Sequence, residues 1–239
     1  MEYGLYIHLP YCRSLCPYCD FVKAPLHRGE PTRLLDALER EGAMARAEAT
    51  WTRPRTIYIG GGTPTALDAL ALARFLGWIR REWDLSRVRE FTVEANPEGL
   101  GDEKLEVLRE GGVNRLSLGV QSLEAPALRA LGRIHTAEGA LDALDRARRA
   151  GFRNVSVDLM YGVPGETAAG FRETVSRLVA LHVPHLSAYP LQVEEGTPLH
   201  SKVARGTVNV PDEDQVLERY EDLISILGRG GYRHYEVSN

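Results

Sequence analysis

Lysine is scarce in this 239-residue chain: Lys23, Lys104 and Lys202 are the only three, and the other 26 of its 29 basic residues are arginine. That bias follows from a GC-rich coding sequence as readily as from function, so no activity is read from it. A basic excess is missing too. The net charge is −4, and without a clustered positive surplus a nucleic-acid partner is disfavoured, because phosphate binding draws on grouped Lys and Arg. No apolar run reaches the length that crosses a bilayer, so no transmembrane segment is expected, and the opening MEYGLYIHLP lacks a basic leader and a small-residue cleavage site. A cytoplasmic protein is the expectation. Cysteine is confined to Cys12, Cys16 and Cys19. An odd number packed into one short stretch excludes a disulfide framework, points to a reducing compartment in which thiols are free to bind metal, and leaves no cysteine for a second cluster.

What the chain has in quantity is alternation. With 44% hydrophobic and 26% charged residues it can bury one good core. Runs rich in Val, Ile, Leu, Tyr and Phe predict strands at residues 3–9, 56–60, 90–95, 115–120, 154–159 and 186–191. Between them, helical patterning predicts helices over 31–50, 66–83, 102–110, 124–131, 136–150 and 167–181. Asp102 and Thr136 read as N-caps, and Pro126 suits a first turn. Strict alternation implies an α/β protein with parallel strands, and six units fit an open, partial (β/α)6 TIM-like barrel; a doubly wound sheet is the alternative. Residues 192–211 read as loop before a last helix over 212–228. The final RHYEVSN looks like the opening of another strand. Residues 1–205 are therefore expected to form the core, with 206–239 a short C-terminal extension that further polypeptide or a partner completes.

Chemistry concentrates in YCRSLCPYCDF, directly after the first strand, where thiols stand at i, i+4 and i+7. Three thiolates can serve a four-iron cubane and leave one iron open to a chelating small molecule, the geometry needed to hold a methionine amine and carboxylate. Pro17 stiffens this turn, and Tyr18 can offer an aromatic edge to an adenine. The alternative is a zinc-stapled binding domain with three cysteines and His8 or His27 as fourth ligand. A second feature, Gly60-Gly61-Gly62-Thr63-Pro64, closes the second strand and permits close backbone approach to a ligand, although a tight strand-to-helix turn explains it equally well. It lacks the ending of a phosphate loop and the spacing of a dinucleotide fingerprint. Polar groups also recur at strand ends: Glu94, Gln121, Asp158 and Tyr189. In a barrel these would share one mouth. Arg133 is a candidate counter-charge for the acidic ones, since a bare buried carboxylate is costly.

Taken together, YIHLPYCRSLCPYCDF, IYIGGGTPT, VEANPE, LSLGVQSL, VDLMYGVPGET and AYPLQVEEGTPL resemble the radical SAM proteins, and within them the branch that holds oxygen-independent coproporphyrinogen III oxidase and the HemW-type haem chaperones. The resemblance covers essentially the whole chain. It implies a [4Fe-4S] cluster on Cys12, Cys16 and Cys19 that passes an electron to S-adenosylmethionine, with Tyr6 and Tyr18 as aromatic contacts and Gly61, Gly62 and Thr63 beside the methionyl group. Glu94 matches a further contact to that cofactor. Gln121, Arg133 and Asp158 match positions that in the oxidase branch contact a second S-adenosylmethionine. The oxidase carries another cysteine two residues after its third ligand; here that residue is Phe21, and the CDF form resembles the chaperones. The resemblance thus implies a haem chaperone first, with an electron donor and a haem acceptor protein as partners, and a coproporphyrinogen III oxidase acting on a porphyrinogen as the alternative. No catalytic residue is assigned. The branch's haem-associated HNxxYW motif follows the YEVSN-like stretch, so no haem ligand is assigned either. His135 reads as structural or cofactor-facing.

Overall fold

A computed structural model describes residues 2–27, 30–48 and 53–236. The last two residues of the first expected helix, 49–50, and the final three of the expected C-terminal strand lie outside the described residues; the rest of that expected strand, residues 233–236, carries no regular structure. Six strands form one sheet: β1 (Gly4–Leu9), β4 (Thr56–Gly61), β5 (Glu90–Ala95), β6 (Arg115–Gln121), β7 (Asn154–Tyr161) and β8 (His185–Pro190). Their order in the sheet is their order in sequence, and the pairs β1–β4, β4–β5 and β7–β8 are parallel. A doubly wound sheet reverses direction at a switch point; this one never does, which is the winding of a barrel wall. All six predicted strands are present within one or two residues.

The residues fall into two compact units. One comprises Met1–Arg13, Phe21–Ser117 and Ala143–Asn154, and the other Ser14–Asp20, Leu118–Asp142 and Val155–Asn239. In the first, Ile7, Leu9, Ile57, Ile59, Phe91 and Val93 are buried along β1, β4 and β5. Helix α2 (Ala69–Glu82) adds Leu72, Phe75, Leu76, Trp78 and Ile79, the i, i+3, i+4, i+7 stripe of an amphipathic helix. Each such side chain contributes about 1.5–3 kcal/mol by leaving water. In the second unit, Leu118, Val120, Val157 and Leu159 of β6 and β7 are buried, as are Phe171, Val175 and Leu178 of α6 (Ala168–Ala180). The long last helix, α8 (Glu213–Arg229), packs against α6. It starts in a capping box: Asp212 accepts from the Gln215 backbone N–H, while the Gln215 side chain accepts from that of Asp212.

The remaining helices are α1 (Glu30–Glu48), α3 (Asp102–Glu110), α4 (Ala125–Ala130), α5 (Ala137–Arg149) and α7 (Pro198–Ala204). Three expectations are corrected. Asp102 is not the N-cap of α3. Gly101 holds that place with extended backbone, and Asp102 and Glu103 instead put negative charge in the first turn, where the helix dipole favours it. Residues 192–211 are not all loop, because they contain α7. Its seven residues are too few to show periodicity, yet Thr197 caps it by accepting from His200 N–H and Pro198 opens its first turn. A two-stranded parallel ladder, β2 (Tyr11–Cys12) with β3 (Ala24–Pro25), was also not expected. Ala24 N–H donates to Pro10 O at 2.8 Å and Leu26 N–H to Cys12 O at 2.9 Å, so the two ends of the cysteine segment are tied together by backbone.

Candidate functional site

In the first unit, the end of β4 and the start of the cysteine segment meet. Gly62 N–H donates to Leu9 O and Thr63 N–H to Tyr11 O, both at 2.7 Å. Gly61 has φ of +112°, and a Cβ on Gly62 would lie 2.6 Å from the Pro10 carbonyl carbon and the Tyr11 oxygen. At Gly62 the glycine is thus required by backbone packed against backbone, while at Gly61 the positive φ requires it. The turn delivers Thr63, whose Oγ1 donates to Cys12 Sγ at 3.7 Å and accepts from Asn96 Nδ2 at 3.1 Å.

Glu94 sits beside this turn. Its Oε1 accepts from Tyr58 OH at 2.6 Å and its Oε2 from Gly61 N–H at 3.2 Å. Burial raises its pKa above the usual carboxylate range, against the two hydrogen bonds and nearby His8, which pull it down. Neutral donors thus satisfy Glu94. Tyr6 is 57% exposed and bonds to His8 Nδ1 at 3.0 Å, while His8 Nε2 reaches Val22 O at 3.0 Å. A carbonyl only accepts, so Nε2 carries the proton and Tyr6 donates to Nδ1. Both ring nitrogens of His8 are thus hydrogen-bonded.

In the second unit, Arg133 Nη1 donates to Cys16 Sγ at 3.5 Å and Nη2 to Gly119 O at 2.8 Å. Cys19 N–H donates to Cys16 O at 3.4 Å. Tyr18 packs its ring against Ala127, Leu131, Met160 and Val163, and burial, followed by the adjacent Cys16 sulfur, raises its pKa. The unexpected helix α7 supports this segment, since Leu199 N–H donates to Pro17 O at 2.9 Å. Gln121 ends β6 with φ of +66°. Asp158 lies on β7 opposite Ser187, two residues before Met160, which pairs with Tyr189 on β8.

Thr63, Gly61 and Glu94 are therefore joined in one unit, and in the other Gln121 ends β6 while Arg133 bonds the Gly119 carbonyl of that strand. The sequence reading missed Tyr58 and Asn96 as partners. Tyr58 shares a strand face with Gly60 by the two-residue period, and Asn96 lies inside the VEANPE motif, so both signals were present.

A further carboxyl in the second unit lies in the GVPGET turn after β7. Glu166 Oε1 accepts from Gly162 N–H at 3.1 Å and faces Arg219 Nε at 3.4 Å, while Oε2 is buried with no hydrogen-bond partner. Burial pushes its pKa up to about 7, outweighing the pull of Gly162 and Arg219. The folded state then holds this proton more tightly than the unfolded chain. The resulting stability is full below the ordinary value of 4.5 and is lost as pH rises through about 7. Glu166→Gln should flatten that decline by about 1–2 kcal/mol. Urea unfolding across this pH window measures it, and parallel curves for both proteins would contradict the assignment.

The chain belongs to the Radical SAM superfamily, whose family model matches residues 6–178. Over 235 residues it is 41% identical to "Heme chaperone HemW" of Lactococcus lactis subsp. lactis (strain IL1403), covering 98% of this chain and 61% of that protein. It is 37% identical over 236 residues to the mitochondrial radical S-adenosyl methionine domain-containing protein 1 of Mus musculus, covering 99% of this chain and 53% of that one. The fold matches that of coproporphyrinogen III oxidase (HemN) from Escherichia coli, a radical SAM enzyme, with a TM-score of 0.86 at 27% identity over 97% of this chain and 53% of that one. The chain thus spans about three-fifths of the length of its HemW relatives.

The family uses a [4Fe-4S] cluster and S-adenosylmethionine. Thiolate is the ligand such a cluster takes, and Cys12, Cys16 and Cys19 are the candidates for it. None of the three is in a disulfide and all are partly buried, and the Cys12 and Cys16 sulfurs each accept from a side-chain donor. No helix among the described residues is long and apolar enough to cross a membrane.

Proposed function

We propose that this chain is the cofactor-binding part of a haem chaperone, in which Cys12, Cys16 and Cys19 hold a [4Fe-4S] cluster and the polypeptide hands haem to an acceptor protein. The observation that carries the cluster reading is the pair of donors aimed at sulfur, Thr63 Oγ1 at Cys12 and Arg133 Nη1 at Cys16. When bound, the cluster supplies an electron to the sulfonium of S-adenosylmethionine. The chain's own part is to place and neutralise that ligand. Gly61 and Gly62 let backbone approach the methionyl group, Thr63 orients a ligand thiolate, and Glu94 offers a buried carboxylate to the methionyl ammonium. Tyr6 and Tyr18 supply aromatic surface, and Gln121, Arg133 and Asp158 supply polar contacts in the second unit. Three cysteines outside any disulfide suit a reducing cytoplasm. The electron donor and haem acceptor are separate proteins in this reading.

Haem as cargo is supported by Phe21, which stands where the oxidase has a cysteine and is 68% exposed, and by the relatives named heme chaperone. Porphyrinogen oxidation is favoured instead by the likeness to HemN. Anaerobic titration of haem into the reconstituted protein separates them. A chaperone should bind haem with a shifted Soret band and release no carbon dioxide from coproporphyrinogen III. Absent haem affinity with an intact cluster would sink the chaperone reading, and decarboxylation would establish the oxidase.

A further inference from the structure

β6 ends in an unusual conformation, and the residues that enforce it lie on one short segment. Gln121 is a non-glycine residue with φ of +66°, a region that side chains with a Cβ rarely enter. Ser122 N–H donates to Val120 O at 2.8 Å, the bond of a γ-turn centred on Gln121, and a positive central φ is the rarer, more strained hand of that turn. Three further contacts brace it. The buried His135 bonds through Nε2 to the same Val120 O at 3.0 Å, Arg133 Nη2 donates to Gly119 O at 2.8 Å, and Glu124 N–H donates to Ser122 Oγ at 3.0 Å. Because a carbonyl can only accept, the His135 proton is on Nε2, and Val120 O receives two donors. The Gln121 side-chain amide is half-buried and has no hydrogen-bond partner among the described residues. A strained backbone held by a buried histidine and two half-buried donors, presenting an unpartnered amide, is the arrangement expected of a preorganised ligand contact.

We propose that His135 is a positioning residue: by holding Val120 O it keeps Gln121 in the left-handed conformation that presents its amide to S-adenosylmethionine. This rests on the reading that Gln121 touches that ligand. His135 acts only through Gln121, so its effect must vanish when the Gln121 side chain is gone.

The test is a double-mutant cycle read by titrating S-adenosylmethionine into anaerobically reconstituted protein, with iron and sulfide counted in each variant. His135→Phe should weaken binding about tenfold at unchanged iron content, the loss of one well-placed hydrogen bond, and His135→Gln, which keeps a donor, should restore most of it. Gln121→Gly should weaken binding by a similar factor, and His135→Phe added to it should cost nothing more. Equal losses from His135→Phe with and without Gln121 would overturn the proposal, as would unchanged affinity in His135→Phe. If Gln121→Gly leaves affinity intact, the ligand reading of Gln121 fails, and the clamp is judged by urea unfolding of the cluster-free protein. There, glycine at 121 relieves the positive φ, so His135→Phe should lower the midpoint less than it does with Gln121 in place; an equal drop rejects the clamp.

Discussion

Cys16→Ala should bring iron and labile sulfide in the reconstituted protein to background and abolish 5'-deoxyadenosine formation, while leaving the fold intact. The expected loss is complete because three thiolates are the minimum that still leaves one iron open, and no other cysteine exists to replace the missing ligand. The fold should survive because little of it rests on the sulfur. Pro17 O keeps its bond from Leu199 N–H, Tyr18 keeps its packing against Leu131 and Met160, and Arg133 keeps Gly119 O. A change in unfolding free energy within about 1 kcal/mol is expected for removing one partly buried thiol. Iron and sulfide at wild-type stoichiometry in the variant would contradict the ligand assignment, since a site that ignores Cys16 is not the one described. Thr63→Val, which removes a donor to Cys12 but no ligand, should lower cluster retention only partially.

Gly62→Ala is expected to destabilise the protein by about 2–4 kcal/mol, the range for a steric conflict that rigid surroundings cannot absorb. The added methyl would sit 2.6 Å from backbone atoms of Pro10 and Tyr11. Backbone at that place is pinned, because Gly62 N–H and Thr63 N–H already bond Leu9 O and Tyr11 O. Relief therefore has to open those bonds, which would also move Thr63 off Cys12. Gly101→Ala is the matching control. No heavy atom lies within 4 Å of a Cβ there, and the position is an N-cap at negative φ, so only the capping cost of alanine, about 0.5–1 kcal/mol, is expected. Urea unfolding of both variants measures the contrast, and a Gly62→Ala protein as stable as the control would refute the packing account.

Much of the architecture was legible because it is local. Helix α3 was placed to the residue, and β5 likewise, since periodicity and burial coincide over their whole length. The failures have local causes too. Helix α7 is shorter than two full heptads and begins in Gly196-Thr197-Pro198, which reads as a turn until Thr197 is recognised as a cap. The β2–β3 ladder has two residues per strand, below any pattern that alternation could reveal. The first residue of α3 was misread because aspartate suits both the cap and the first turn.

The sequence alone determined the cysteine spacing, the glycine run and the alternation that makes an α/β wall, because each depends on residues adjacent in the chain. Only the tertiary structure decided what surrounds those cysteines. Thr63 lies 51 residues from Cys12 and Arg133 lies 117 residues from Cys16. Such pairings are set by which strand ends and turns the fold brings alongside the cysteine segment, and no periodicity within a single element encodes that. The same holds for Glu94, whose bonds to Tyr58 and Gly61 no pattern within one strand encodes. It holds also for Gln121, which has a positive φ beside a carbonyl bonded by a histidine 15 residues away.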